Sequence, residues 1–183
     1  MTSVIKKNSF NLVSFDSNNA PSVSIEGVVS RLDSRLNIQY ILNSLTAIII
    51  PETNKIPQRR YELWEHTCFE FFVRIKDTTK YWEFNLSPSR NWNVFRFLDY
   101  RSNISEEHAF DALPFTVVRD LDLESLIVEA NIDLNRIVAA NKNLEVAIST
   151  VVENRDGELS YWALTHPKNQ ADFHHQDSFT IEL

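Results

Sequence analysis

Residues Tyr61–Arg101 read YELWEHTCFEFFVRIKDTTKYWEFNLSPSRNWNVFRFLDYR, and their alternation carries the architecture. Phe69, Phe71, Val73 and Ile75 share one parity, and Cys68, Glu70, Phe72 and Arg74 the other. Trp82, Phe84 and Leu86 then alternate with Tyr81, Glu83 and Asn85. A period of two in aromatic and β-branched residues predicts half-buried, paired strands. The short polar segment Lys76–Lys80 between the runs suits a hairpin connection. Ser87-Pro88-Ser89-Arg90-Asn91 closes the second run as a turn, because proline cannot donate to a ladder. A third run, Trp92–Tyr100, follows.

Outward from this stretch the chain repeats the same short period. Ser9–Phe15 reads as an edge strand, and Val23–Leu32 and Leu36–Leu42 as two strands around an Asp33-Ser34-Arg35 turn. Leu45–Ile50 reads as a buried strand stopped by Pro51, and 51–60 as a loop. Downstream, Phe115–Arg119, Leu126–Ile132, Leu144–Val152, Leu159–Leu164 and Ser178–Leu183 all read as strands. Asp156-Gly157 marks the hairpin between Leu144–Val152 and Leu159–Leu164. About nine to eleven short strands with almost no helical period predict an all-β protein. The expected closure is a two-sheet antiparallel β-sandwich, jelly-roll-like, in one domain over residues 1–183. Its core is expected to contain Phe69, Phe71, Val73, Trp82, Phe84, Val146, Ile148 and Phe179.

Composition removes several function classes. A chain of 183 residues is long enough to bury a proper core. The net charge of −7, with no basic stripe, argues against nucleic acid as a partner. Two glycines cannot build a phosphate loop or a dinucleotide fingerprint. The single cysteine, Cys68, excludes an intramolecular disulfide and a thiolate zinc site, and its place in an alternating run predicts a buried, inert thiol. No apolar run approaches the length of a membrane helix, and MTSVIKKNSFNLVSF lacks the apolar stretch of a signal peptide. A cytoplasmic location and no membrane partner are expected; a protein partner is left open.

Two polar concentrations are candidates for chemistry. The first is on the central strands and their turns: Glu70, Arg74, Tyr81, Glu83, Asn85, Asn91, Asn93, Arg96, Asp99 and Arg101. Mixed carboxylates, amides, guanidinium and aromatics suit a ligand-facing surface; they suit equally a wet sheet face with cross-strand ion pairs. The second is THPKNQADFHHQDSF, residues 165–179, holding His166, His174 and His175 with Asp172 and Asp177. Imidazole and carboxylate are common ligands for zinc, copper or iron, so a metal ion and a metal-dependent enzyme are alternatives. The spacing fits no standard metal motif, and hydrogen-bonded capping of a proline-containing loop explains the residues equally well.

The strings LWEHTCFEFFV, YWEFNLSPS.NWNVFRF.DYR and, far downstream, YWAL.HP…DFHH.DSF resemble the bacterial DOMON-like proteins, relatives of the family-nine carbohydrate-binding modules. Arg90 stands where that pattern has glycine, and Gln176 where it has arginine. The resemblance implies a β-sandwich whose better-known relatives bind sugars or haem. Haem is not expected, since the Met–His ligation of the haem-binding relatives would rest on Met1, the only methionine. Sugar-binding relatives use aromatic faces with amides, carboxylates and arginine around them. The corresponding inventory is Trp64, Trp92 and Tyr100 with Glu83, Asn85, Asn91, Asn93 and Arg96, and the His166–Asp177 loop is expected to share one concave surface with it. The expected function is a small-ligand-binding module for a carbohydrate or similar polar ligand, with a purely structural or partner-binding sandwich as a further alternative.

Overall fold

The computed structural model describes residues 5–183. Met1, on which the haem argument rests, lies outside them. The strands are β1 (Lys6–Asn11), β2 (Val13–Ser14), β3 (Ser24–Leu32), β4 (Arg35–Asn43), β5 (Ile48–Ile49), β6 (Cys68–Ile75), β7 (Tyr81–Leu86), β8 (Trp92–Phe97), β9 (Ser105–Glu106), β10 (Phe115–Asp120), β11 (Ser125–Asp133), β12 (Leu144–Asn154), β13 (Leu159–Ala163) and β14 (Ile181–Glu182). Helix is confined to single 3-10 turns at Leu45–Ala47, Leu63–Glu65, Leu134–Arg136 and Gln176–Ser178. Among the described residues no helix is long and apolar enough to cross a membrane.

Two antiparallel sheets form a sandwich. The smaller runs β1-β3-β4-β11-β10; the larger runs β2-β13-β12-β6-β7-β8-β9, with β5 and β14 also on β12. The predicted parity holds. Phe69, Phe71 and Val73 of β6, Trp82, Phe84 and Leu86 of β7, and Val146, Ile148 and Val152 of β12 face the smaller sheet. They meet Ile25, Val29, Leu36, Ile38, Tyr40, Leu42, Leu126, Val128 and Ile132 across the interface. Phe71 and Phe84 stack with centroids 4.5 Å apart. Tyr40 is fully buried, and its hydroxyl donates to the Glu70 carbonyl 2.7 Å away, so its polar tip has a partner.

Backbone geometry follows local chemistry. Gly27 leaves room for a ring, because a Cβ there would lie 2.5 Å from the Phe10 ring tip and 1.9 Å from the Gln39 carbonyl oxygen. Gly157 sits at φ 87° in the hairpin between β12 and β13, as Asp-Gly predicts. Arg90, the departure from glycine, adopts φ 70° and donates its N–H to the Ser87 carbonyl, so the turn keeps a left-handed residue without glycine.

Three expectations need correction. Leu45–Ile50 is a 3-10 turn followed by two strand residues, because Ser44 at φ 69° turns the chain before β5 reaches β12. Phe179 lies on the opposite face of the larger sheet, with Phe72, Tyr81, Phe95, Phe97 and Ala147. There it sits under the Arg74 guanidinium, 4.4 Å from its ring centroid. In Ser178–Leu183 only Ile181 and Glu182 pair with β12, while Leu183 enters the inter-sheet core.

Candidate functional site

The outer face of the larger sheet is not a solvated face. Cys68, Glu70 and Phe72 of β6 and Tyr81, Glu83 and Asn85 of β7 are all buried there, as are Asn93, Phe95 and Phe97 of β8. Three pieces of chain cover it: the 3-10 turn holding Trp64, the segment around Arg101–Ile104, and the C-terminal strap through Phe173 and His174. Between them and the sheet lies a cleft of about 550 Å³. Its lining includes Trp64, Phe95, Phe97, Tyr161 and Phe173, with Glu70, Glu83, Arg101 and His174.

Two carboxylates stand on its floor. Glu70 pairs in register with Asn85, and Phe72 with Glu83, so the two glutamates are diagonal neighbours on one face. Asn85 Nδ2 donates to Glu83 Oε1 at 2.8 Å, and Ser149 Oγ to Glu70 Oε2 at 3.4 Å. Glu70 Oε1 is buried without a hydrogen-bond partner. Burial, then the Glu83 charge, pushes the Glu70 carboxyl well above the ordinary range. Burial raises Glu83 to about 7 against the pull of Asn85 and Arg101. The same burial, with both glutamates, pushes up the Cys68 thiol, which is buried and inert as its parity predicts.

His174 forms the wall beside Glu83. Its Nδ1 is 2.8 Å from Tyr81 Oη, and its Nε2 is 3.7 Å from Glu83 Oε2. Arg101 N–H donates to Tyr81 Oη at 3.1 Å, an arrangement that suits a tyrosine proton given to Nδ1 and an imidazole proton on Nε2. Burial holds this histidine's pKa down at about 3, helped by the Arg101 charge, so it is a neutral group rather than an ion-pair partner of Glu83. Tyr81 is pushed up to about 12, chiefly by burial, and keeps its proton. On the far side of Tyr81 and His174 a second cleft of about 350 Å³ is lined by Tyr100, Lys168, His175 and Phe179 among others.

Asp172 fastens the strap. Its carboxylate accepts from Tyr100 Oη (2.6 Å), Arg101 Nη2 (3.1 Å) and Nε (3.3 Å), and the His174 N–H (3.3 Å), with Lys168 Nζ 3.3 Å away. Burial opposes its ionisation, but the hydrogen bonds from Tyr100 and Arg101 outweigh it and keep the carboxyl below the ordinary range.

The central strands and the C-terminal strap therefore do meet, through Tyr81, Glu83 and His174. Trp64, Glu83 and His174 line the larger cleft, Tyr100 and His175 the smaller one, and Asp172 anchors the wall between them. Asn85 supports Glu83 from within the sheet.

Other candidates lie elsewhere. Trp92 has the inward parity of Val94 and is buried between the sheets under the Arg59 guanidinium, 4.4 Å from its ring. Arg96 shares that parity and donates to Ser105 Oγ at 3.2 Å. Asn93 and Arg96 are three residues apart and cannot share a strand face. Asn93 accepts from Arg59 and donates to the Arg60 carbonyl and Glu106, and Asn91 accepts from the Gln58 N–H, so both hold the 51–60 loop. His166 Nε2 lies 2.9 Å from the Val13 carbonyl oxygen, away from the strap's other histidines. Among the described residues, no group of three or more His, Cys, Asp or Glu side chains could hold a metal ion. His166 thus stands apart from His174 and His175, and the metal-ion alternative finds no ligand set among the described residues.

Glu70, Tyr81 and Arg101 belong to the polar face read from the sequence but not to its narrower sugar-binding inventory; Phe95, Phe97, Tyr161 and Phe173 are in neither, and Tyr161 and Phe173 reach the cleft only through tertiary packing.

A solved structure from Bacteroides uniformis, described as a candidate carbohydrate-binding protein, is similar over 96% of this chain and 84% of its own, with a TM-score of 0.69 and 12% sequence identity. At that identity the likeness is one of fold. No protein-family model matches the chain, and no curated protein does.

Proposed function

We propose that this chain is a binding module for a small polar ligand of the carbohydrate class, seated in the cleft on the outer face of the larger sheet. One observation carries the reading: a cleft of about 550 Å³ that combines five aromatic rings with a buried carboxylate oxygen, Glu70 Oε1, that has no partner in the protein. Rings offer apolar platforms for the C–H faces of a sugar, and the polar groups among them fix its hydroxyls. A buried acceptor left unsatisfied costs about 1–3 kcal/mol, which a ligand donor recovers. The Bacteroides fold neighbour supports the same class of ligand, and kinship with the DOMON-like and family-nine modules is the finer form of this proposal. A thermal-shift screen of soluble sugars, followed by calorimetry on the best one, tests it. Trp64→Ala is expected to weaken binding by about 1–3 kcal/mol, by analogy with stacking on exposed rings, while the melting temperature stays nearly unchanged. Unaltered affinity in that variant removes the cleft from consideration.

A further inference from the structure

We infer that the subsite between Glu70 and Glu83 takes the ammonium group of an amino sugar rather than a neutral hydroxyl. The inference rests on the cleft reading above and names the ligand chemistry within it. Its ground is a charge imbalance. Among the described residues no Lys or Arg stands within ion-pair distance of either glutamate. Arg101 and Lys168, the nearby cations, are both spent on Asp172. Among the described residues the one ion-pair-distance contact of Glu83 is with His174, a neutral imidazole. Glu70 is 3% exposed and Glu83 6%, and the Glu83 charge adds to the difficulty Glu70 has in ionising. Arg101 pulls both carboxyls toward ionisation but burial outweighs it, so they hold on to protons, and a ligand cation seated between them favours ionising both in place.

The surroundings fit the same charge. Trp64, Phe95, Phe97, Tyr161 and Phe173 line the cleft, and aromatic rings attract a desolvated ammonium through their quadrupoles. Glu70 Oε1 is buried without a partner in the protein, and an ammonium brings three donors. The remaining titratable groups facing the subsite are Glu65 on the turn with Trp64, Tyr161 on β13, Arg101, and Cys68 beneath the glutamates. Of these only Arg101 is cationic; it is paired with Asp172, and its charge also reaches both glutamates without forming an ion pair with either.

Calorimetry with glucose, glucosamine, N-acetylglucosamine and choline, on the whole protein, decides the matter. The first three share a ring and differ at one position: hydroxyl, ammonium, neutral amide. Choline carries a charge that does not titrate. Glucosamine is expected to bind about tenfold or more tightly than glucose, and Glu70→Gln and Glu83→Gln to bring the two sugars to parity. Melting curves establish that both variants fold. Wild-type affinity for choline is expected to rise as pH passes upward through about 7, where Glu83 loses its proton. Glucose or N-acetylglucosamine binding as tightly as glucosamine overturns the ammonium subsite and leaves the carbohydrate cleft standing. Choline binding with no sugar binding upholds the subsite and overturns the carbohydrate reading. Failure of all four to bind the folded protein overturns both.

Discussion

The Tyr81 hydroxyl lies 2.8 Å from His174 Nδ1, and through this contact the C-terminal strap is keyed to the floor of the larger sheet. The imidazole is neutral because it is buried, with a pKa of about 3 against an ordinary 6.5. Between those two values the unfolded chain holds a proton that the folded chain does not. The stability His174 contributes is complete above about pH 6.5 and drains away as pH falls toward about 3, with a slope approaching about 1.4 kcal/mol per pH unit. His174→Gln is expected to lack this part of the acid limb. Urea midpoints against pH for the two proteins check it, and parallel profiles below pH 6 would refute the assignment.

Glu83 titrates in the opposite sense. Its folded pKa of about 7 exceeds the ordinary 4.5, so its burial is cost-free below about 4.5 and grows costly as pH rises to about 7. Glu83→Gln is therefore expected to stabilise the protein by about 1–3 kcal/mol near pH 8 and to change little near pH 4. Chemical denaturation at both pH values measures the difference. A variant that loses stability at high pH would mean that the carboxylate is held by stronger donors than Asn85.

Phe71 stacks on Phe84 in the inter-sheet core and is wholly buried. Phe71→Ala leaves a cavity on both of its neighbouring strands and is expected to cost about 3–5 kcal/mol in denaturant unfolding.

Trp92→Ala separates the two kinds of tryptophan. Trp92 fills the inter-sheet core and carries the Arg59 guanidinium on its ring. Its loss is expected to cost about 3–5 kcal/mol of stability and to leave the affinity of the folded fraction unchanged, the reverse of Trp64→Ala. Equal effects on stability from both variants would show that Trp64 is a packing residue.

Gly27→Ala tests the close packing of β3 against the β4 backbone and the Phe10 ring of β1. The added methyl would meet the Gln39 carbonyl and the Phe10 ring, and only the ring can move. A loss of about 1–3 kcal/mol, toward the upper end because the nearer atom is backbone, is expected in thermal unfolding.

Much of this was legible in the chain. The alternation in Cys68–Ile75 and Tyr81–Leu86 placed every residue of β6 and β7 on its proper face, because period two admits only one assignment once the apolar parity is known. Parity was also sufficient to exclude Trp92 and Arg96 from the face of Asn93, yet composition drew them together. Phe179 could not be placed so, since both faces of the larger sheet carry buried aromatic clusters and a terminal segment can reach either. Tyr161 and Phe173 were invisible for a related reason: a ring in a covering segment has no periodicity that points at the sheet beneath it. His166 was grouped with His174 by nearness in sequence, whereas its backbone acceptor is on β2.

Strand β7 is buried along its whole length, and β6 over its first six residues, because one face meets the smaller sheet and the other meets the strap and the Trp64 turn. Amides so enclosed exchange with solvent only through the largest openings of the molecule. The cleft floor is thus held from both sides, and Glu70 and Glu83 keep their positions through the sheet itself.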